Sequence, residues 1–252
     1  MSFITGLFNT ILYRPLLNFL VLLYKYVPGH DFGIAIILLT VIVKLLLYPL
    51  GSKAIKSQKN LAEIQPKIKE IQEKYKDDKE KQTRALMEFY KEAKVNPFSG
   101  CLPVLIQLPI LIALYRVFWQ GFQAEHISKF LYGFMPRIDS INASFLGIID
   151  LSRSWFVESN GVKQYLWPNI ILIILVALAQ FWQTKSLSPA IKPVKKKESD
   201  FSGMMQKQMQ YFMPVFTGLI LFSLPSAVAL YWLANTLFSI AQQRFILKKQ
   251  AG

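Results

Sequence analysis

The sequence predicts an all-α integral membrane protein with a core of five transmembrane helices, an N-terminal amphipathic interfacial helix and a cytoplasmic helical hairpin. Three observations lead to this fold class. Of the 252 residues, 53% are hydrophobic and only 17% are charged, which is too apolar for an ordinary soluble domain. The apolar residues form runs long enough to cross a hydrocarbon core of roughly 30 Å. The net charge of +14 is concentrated between those runs.

Each long apolar run is expected to cross the membrane once. The final stretch, residues 211–247, would be about 55 Å long as one helix, so it must fold back, and Ser223, Pro225 and Ser226 supply the turn. The predicted spans are residues 32–50, 97–122, 165–184, 204–224 and 225–247.

The distribution of lysine and arginine predicts the orientation. Residues 51–96, residues 185–208 and the tail after Ala241 hold 12, six and three of them, which makes 21 on one side. The other side holds six, and Lys44 and Arg116 lie inside spans. Because cytoplasmic segments are enriched in these residues, the N-terminus is expected outside and the C-terminus in the cytoplasm. The remaining segments are then an outer loop at 123–164, a cytoplasmic basic loop at 185–203 and a cytoplasmic tail at 248–252.

Residues 1–31 precede the first span and are expected to lie outside. Residues 16–23 are apolar but too short to cross alone, so they should lie in the outer interface or pack on the bundle. A sixth span here is the alternative. The start of the chain lacks a basic region, so no cleavable targeting sequence is expected and Met1 should be the working N-terminus. Apolar residues that share one helical face in this segment are Phe3, Ile4, Leu7, Phe8, Ile11 and Leu12.

Residues 51–96 are highly charged and predict the cytoplasmic hairpin. Two stripes of apolar residues at three-four spacing flank Asp77 and Asp78, which mark the turn. Pro66 is expected to begin one of the helices. The hairpin is either a self-contained solvated element or a docking surface for a targeting factor or nascent chain.

Lys44 is a charge inside a predicted span and requires an explanation. Such a charge costs roughly 2.5–3.5 kcal/mol on insertion scales, and the 13 Phe, Ile, Leu and Val residues of the span favour insertion by about 4–8 kcal/mol. The side chain either extends to the cytoplasmic headgroups or faces a water-filled cavity, where it attracts acidic groups of a passing polypeptide.

Further polar residues in four spans predict a shared substrate groove, closed on the outer side. Any one of these side chains alone could serve to form a hydrogen bond between helices. Most of them, however, lie toward the cytoplasmic half of the predicted spans. The candidate groove residues are Lys44, Thr40, Gln107, Gln180, Gln183, Asn235 and Gln242.

The residues give no indication of catalysis. His30 and His126 lie outside the predicted spans without a second metal ligand at useful spacing, and Cys101 has no nearby base. No glycine-rich phosphate loop is found. We therefore expect no enzyme activity, no catalytic residue, no metal and no cofactor.

Four motifs together resemble the YidC-type membrane protein insertases. The most specific is NPFSGCLPVLIQLPI at residues 96–110, and the order and spacing of all four hold from roughly residue 10 to 245. The other three are residues 33–40 leading to Lys44 and Pro49, FLGIIDLS at residues 145–152, and residues 212–214 with residues 224–227.

The resemblance implies energy-independent insertion, and help in folding, of small or short-tailed membrane proteins in the bacterial cytoplasmic membrane. A hydrated groove open to cytoplasm and lipid would hold the client. In that family the charged residue of the first span is usually arginine. Lys44 keeps the positive charge but lacks the guanidinium group with which arginine donates two parallel hydrogen bonds. We expect no lipoprotein signal and no large outer domain ahead of the core. The short basic tail, residues 244–249, argues against ribosome docking through a long tail.

The expected partners are nascent membrane protein clients and the lipid bilayer, with the Sec translocon, the signal recognition machinery and the ribosome as further candidates. No specific DNA binding is expected, and a single copy should suffice. Two alternatives remain open: a small-solute transporter or channel with an intramembrane lysine, and a membrane assembly scaffold without insertase activity. An inverted repeat, typical of many transporters, is not seen.

Overall fold

The computed structural model describes residues 3–96, 102–120, 124–135, 141–187 and 201–251. The described chain is predominantly helical, as predicted for this class of membrane protein. A short π-helix, Asn9–Tyr13, joins the first two α-helices, and a 3-10 turn, Pro28–His30, precedes the third. The α-helices are α1 (Phe3–Phe8), α2 (Arg14–Tyr26), α3 (Phe32–Leu46), α4 (Tyr48–Lys74), α5 (Lys79–Glu92), α6 (Leu102–Gln120), α7 (Ala124–Phe130), α8 (Trp167–Leu187), α9 (Phe201–Phe222) and α10 (Ser226–Ala251).

Length and apolarity identify fewer spans than the five predicted. Among the described residues, Phe3–Tyr26 and Trp167–Ser186 are long and apolar enough to cross a membrane, and α3 with α4 makes a third if that bent pair is one span. Gln107–Trp119 and Tyr211–Phe222 are shorter apolar helical stretches. The five-span arrangement therefore stays a prediction.

The predicted first span is interrupted by a sharp bend. α3 ends at Leu46, and α4 leaves it at 71°. Pro49 stands in the first turn of α4, where its missing N–H is tolerated, and its ring would clash with the carbonyl of Leu45, four residues earlier, if α3 continued straight. Lys44 consequently lies in the last turn of α3, whereas the predicted span continues as far as residue 50.

α4 and α5 form a helical hairpin in residues 51–96. The turn follows Tyr75, and the Asp78 side chain caps α5 by accepting a hydrogen bond from the Lys81 backbone N–H at 3.0 Å. That bond lowers the pKa of the Asp78 carboxyl below its ordinary value, since it favours the charged form. The expectation for Pro66 is wrong. It lies exposed inside continuous α4, where water can reach the carbonyl that it leaves unpaired.

α10 is the central helix of the described bundle. It packs against α3, α4, α6, α8 and α9. Its neighbours contribute fully buried side chains such as Ile36 and Leu39 of α3 and Val176 of α8, and α10 contributes Ala229. α2 also belongs to this core, so the apolar run at residues 16–23 packs on the bundle.

The predicted outer loop, residues 123–164, contains structure that the sequence analysis missed. It holds α7 and two small antiparallel hairpins, the first of β1 and β2 and the second of β3 and β4. Strands this short carry too few residues to display an alternating pattern. The strands are β1 (Ser144–Phe145), β2 (Ile149–Asp150), β3 (Phe156–Ser159) and β4 (Val162–Tyr165).

α2 is hydrogen-bonded to the end of α7. The buried Asn18 side chain donates to the carbonyl of Phe130 at 2.9 Å and accepts from the N–H of Tyr132 at 2.8 Å. Arg14 donates to the carbonyls of Phe130 and Leu131 and lies over the Tyr132 ring. These bonds satisfy carbonyls that the end of a helix leaves unpaired.

Replacing Asn18 by Ala is expected to lower the free energy of unfolding by about 1–3 kcal/mol, because the Tyr132 N–H loses its side-chain acceptor and the Phe130 carbonyl keeps only the bond from Arg14. Thermal unfolding in detergent measures the loss. Asn142→Ala is the matched control, since the Asn142 side chain accepts only an exposed bond from Ser144 N–H among the described contacts. Equal stability of the two variants would contradict the assigned role of Asn18.

Candidate functional site

A small pocket opens at the bend between α3 and α4. Its volume of about 60 Å³ is several times the roughly 10–15 Å³ that a single water molecule needs. α6 and α10 complete its wall. Three polar side chains lie against four small or apolar residues. The lining residues are Lys44, Leu47, Leu50, Gly51, Ala54, Gln107 and Gln242.

Lys44 is half-buried in this pocket and has no ion pair with any described residue. Its ammonium nitrogen lies 5.9 Å from the centroid of the Phe238 ring, at the outer limit of a cation–π contact. The sequence of α3, α6, α8, α9 and α10 contains no aspartate or glutamate. The position of Lys44 in the last turn of α3 is favourable, because the carbonyl end of a helix carries partial negative charge.

Gln242 connects α10 to the start of α4. Its side-chain amide donates to the carbonyl of Tyr48 at 3.1 Å and to the Ser52 hydroxyl at 3.4 Å. Gly51 permits this approach, because a Cβ atom there would lie 3.0 Å from the Gln242 amide nitrogen. The two helices therefore meet at a glycine, and the amide of Gln242 is held at the pocket wall.

Gln107 reaches the pocket from α6. Its amide donates to the hydroxyl of Tyr231 on α10, and the Tyr231 side chain is buried beside Phe118. This bond uses the amide nitrogen, and the carbonyl oxygen of the Gln107 side chain is a hydrogen-bond acceptor. Tyr231 thus fixes a polar group at the edge of an otherwise apolar core.

The other four predicted groove residues do not line the pocket. Thr40 is buried and donates to the Ile36 carbonyl of its own helix at 2.7 Å. Gln180 and Asn235 each bury a side-chain oxygen that has no hydrogen-bond partner in the described part of the chain. Gln183 is half-buried on α8. The structure therefore brings together Lys44, Gln107 and Gln242 of the seven.

Sequence reasoning missed two residues of the site and one further buried amide of α10. Gly51 and Tyr231 act through contacts with a distant helix, which spacing along one helix does not reveal. Gln243 is 2% exposed, and both polar atoms of its amide lack a partner among the described residues. A glutamine pair in an apolar helix was the available signal for Gln243, and only Gln242 of the pair was selected.

The arrangement is suited to binding polar groups. A cation without a counter-ion and two amides line a pocket that can hold water, and the described residues contain no cluster of His, Cys, Asp and Glu that could bind a metal. Such groups attract anionic and polar groups. The fold and the pocket therefore define a helical membrane protein with a polar pocket beside its apolar bundle.

Comparison with known proteins identifies the family. A family model described as "60Kd inner membrane protein" matches residues 22–251, and the chain belongs to that family. It is thus a bacterial inner-membrane protein.

Proteins named membrane protein insertase YidC are similar over most of the chain. The Geobacter metallireducens protein is 33% identical over 239 residues, or 95% of this chain and 37% of its own length. The Magnetococcus marinus protein is 34% identical over 220 residues, or 87% of this chain and 33% of its own length. The Pelobacter propionicus protein is 34% identical over 241 residues, or 95% and 39%. The chain spans less than two-fifths of the length of these relatives.

Gly51→Ala is expected to be less stable than Gly218→Ala, although both place alanine in a helix. Alanine favours a helix interior over glycine by about 1 kcal/mol. At position 218 the new Cβ meets Ala177 at an ordinary 3.9 Å, whereas at position 51 it crowds the Gln242 amide. Thermal unfolding should rank Gly218→Ala above Gly51→Ala.

Adding Gln242→Ala to Gly51→Ala tests the cause of that difference. The double variant removes the crowded amide, so the two substitutions should be less than additive. Full additivity would mean that Gly51 has another role.

Proposed function

We propose that this protein inserts small or short-tailed membrane proteins into the bacterial inner membrane, and helps them fold, by binding their polar ends in a hydrated, positively charged groove open to the cytoplasm. One observation carries the proposal. Lys44 shares a pocket with two amides, in helices that contain no carboxylate. The relatives named membrane protein insertase YidC support the same assignment.

The charge of Lys44 gives the groove a preference for acidic groups of the client. Two unit charges 4 Å apart attract by about 4 kcal/mol at an effective dielectric constant of 20, compared with about 1 kcal/mol in bulk water. An acidic group entering the half-buried pocket would therefore gain more from Lys44 than it would in the cytoplasm. Because the chain supplies no competing carboxylate in these helices, the client supplies it.

The groove acts by shortening the apolar distance that a polar segment has to cross. The client's hydrophilic end would enter the water-filled pocket at the bend of α3 and α4, and its apolar segment would then partition into lipid. A groove that reaches only partway across the membrane avoids an open pore. Thr40, Gln180, Gln183 and Asn235 belong to the proposed groove as its deeper and lateral polar groups.

The proposed orientation has five spans, the N-terminus outside and α2 in the outer interface. Hydrogen bonds support it, because both ends of α2 contact one loop. Arg14 binds carbonyls at residues 130–131, and the Tyr24 hydroxyl accepts from the Asn142 backbone N–H at 2.8 Å. A helix whose two ends meet the same outer loop is expected to lie along that surface. The exposed apolar side chains of α1 would then enter lipid.

Single cysteines at positions 6 and 26, in a chain lacking Cys101, test this orientation. An added Cβ at Gly6 meets open space, and Tyr26 is 75% exposed, so both sites should accept a reagent. We expect a membrane-impermeant thiol reagent to label both from outside only. Labelling of the two positions from opposite sides would establish a sixth span.

The cytoplasmic hairpin is the proposed contact surface for targeting factors or ribosomes. Residues 51–96 carry 12 lysines and arginines, and charges of this kind bind the phosphates of RNA in a salt-dependent way. The Sec translocon and the signal recognition machinery are further proposed partners.

Replacing Lys44 tests the insertase proposal in liposomes that contain only this protein. The assay uses two single-span clients that are identical except for an acidic or a basic polar tail. Lys44→Leu should slow insertion of the acidic client about tenfold, corresponding to about 1.4 kcal/mol, while Lys44→Arg keeps the charge and most of the rate. Lys44→Glu should reverse the preference between the clients.

Lys185→Leu is the matched control, because Lys185 is an exposed lysine in the last turn of α8. Its rate should equal that of the unchanged protein. Equal insertion of both clients by the Leu, Arg and Glu variants would contradict the proposal. Solute flux without insertion would indicate a transporter, and client binding without insertion would indicate a scaffold.

A further inference from the structure

One short segment connects three helices at the end of the bundle opposite to the Lys44 pocket. We define residues 143–154 as the clasp. It contains β1, β2 and the turn between them, and it contacts the first residues of α3, α8 and α10. From its first residue α3 runs 12 residues to Lys44, and α10 runs 16 residues to Gln242, which is about 18 Å and 24 Å of helix.

The clasp is attached to α8 by Asn169, which is 1% exposed. The Asn169 amide nitrogen lies 2.8 Å from the carbonyl oxygens of Asp150 and Ser154 and 3.4 Å from that of Arg153. It also lies 2.8 Å from the Ser226 hydroxyl of α10. An amide has only two hydrogens to donate, so four acceptors converge on one donor group that is inaccessible to water.

The attachment to α10 uses backbone groups. Ser226 N–H donates to the carbonyl of Arg153 at 2.8 Å, and Ala227 N–H donates to the carbonyl of Leu151 at 3.0 Å. The first N–H groups of a helix have no partner within it. The clasp provides those partners, and the side chain of its own Leu151 is fully buried.

The attachment to α3 uses Asp31 and Gly33. One carboxylate oxygen of Asp31 caps α3, and the other accepts from Leu146 N–H at 2.7 Å. Leu146 has a φ of 53°, which is costly for a residue other than glycine. The hydrogen bond that its N–H donates to Asp31 stabilises this backbone conformation. The Phe145 ring lies against Gly33 so closely that a Cβ on Gly33 would be 2.2 Å from it.

We infer that the clasp is the outer seal of the protein, and that Asn169 is the positioning residue that holds it shut. This inference rests on the proposed function, in which the pocket is open to the cytoplasm and closed on the outer side. A bundle that admits a polar client at one end has to stay closed to water at the other. Tying three helix ends to one segment keeps that end closed while side chains at the pocket move.

Asn169→Asp is the sharpest test, because it preserves shape but replaces the donor with a carboxylate facing three carbonyl oxygens. A single cysteine replacing Ala35, a fully buried residue near the clasp, reports opening in a chain lacking Cys101. In oriented vesicles, Asn169→Asp should raise the labelling of the cysteine at position 35 by an impermeant reagent on the outer side about tenfold. Labelling of a separate Gln107→Cys reporter from the inner side should not change.

Arg153→Ala is the matched control, since it keeps the carbonyl that Asn169 and Ser226 use and removes an exposed side chain that forms a solvent-exposed ion pair with Asp150 at 3.8 Å, which contributes little to stability. Its outer labelling should equal that of the unchanged protein. Should Asn169→Asp fail to accumulate, Ser226→Ala removes one acceptor and should raise outer labelling about twofold to threefold. No rise in either variant, or an equal rise from both sides, would overturn the seal.

The Gln107→Cys reporter separates this inference from the function on which it rests. Labelling of that reporter from the inner side in the otherwise unchanged chain supports the hydrated groove, whatever the clasp does. If that labelling is absent while Asn169→Asp still opens the outer end, the proposed function fails and the seal stands.

Discussion

The architecture depends on one constraint: a positive charge lies beside an apolar bundle in which α3, α6, α8, α9 and α10 contain no carboxylate. Transferring an ammonium from water to an apolar environment is costly unless it is solvated or paired. Lys44 has no ion pair in the described chain, and the pocket beside it is large enough for water. The bend at Leu47, the glycine at position 51 and the amides of Gln107 and Gln242 all create or line that pocket.

The bend makes the pocket compatible with a stable fold. A straight helix from residue 32 to residue 50 would bring Lys44 deep into the packed core or against lipid. Ending α3 at Leu46 moves the charge to a helix C-terminus, where the partial negative charge of the carbonyls favours it. The remaining length of α4 then leads away from the bundle to its turn with α5. The opposite end of α3 is held by Asp31 and the clasp, so the helix is fixed at one end and bends at the other.

Sequence patterns predicted the features that depend on local chemistry. The apolar runs indicated the helices, Asp78 marked the turn before α5, and Ser223 to Ser226 marked the turn between α9 and α10. Lys44, Gln107 and Gln242 were selected because polar groups in spans are costly. The break of the first span, the interior position of Pro66 and the strands of the outer loop were not predicted. They depend on packing between distant segments, as do the contacts of Gly51, Tyr231 and Asn169.

Water access to the pocket tests the central claim most directly. Leu47 and Leu50 line the pocket beside Lys44, and single cysteines at these positions, in a chain lacking Cys101, can be labelled in oriented vesicles. The account predicts that a membrane-impermeant reagent confined to the cytoplasmic side reaches both positions, and that the same reagent on the outer side reaches neither. Protection of both cysteines from the cytoplasmic reagent until detergent is added would show that the lysine lies in a dry site and would contradict the account.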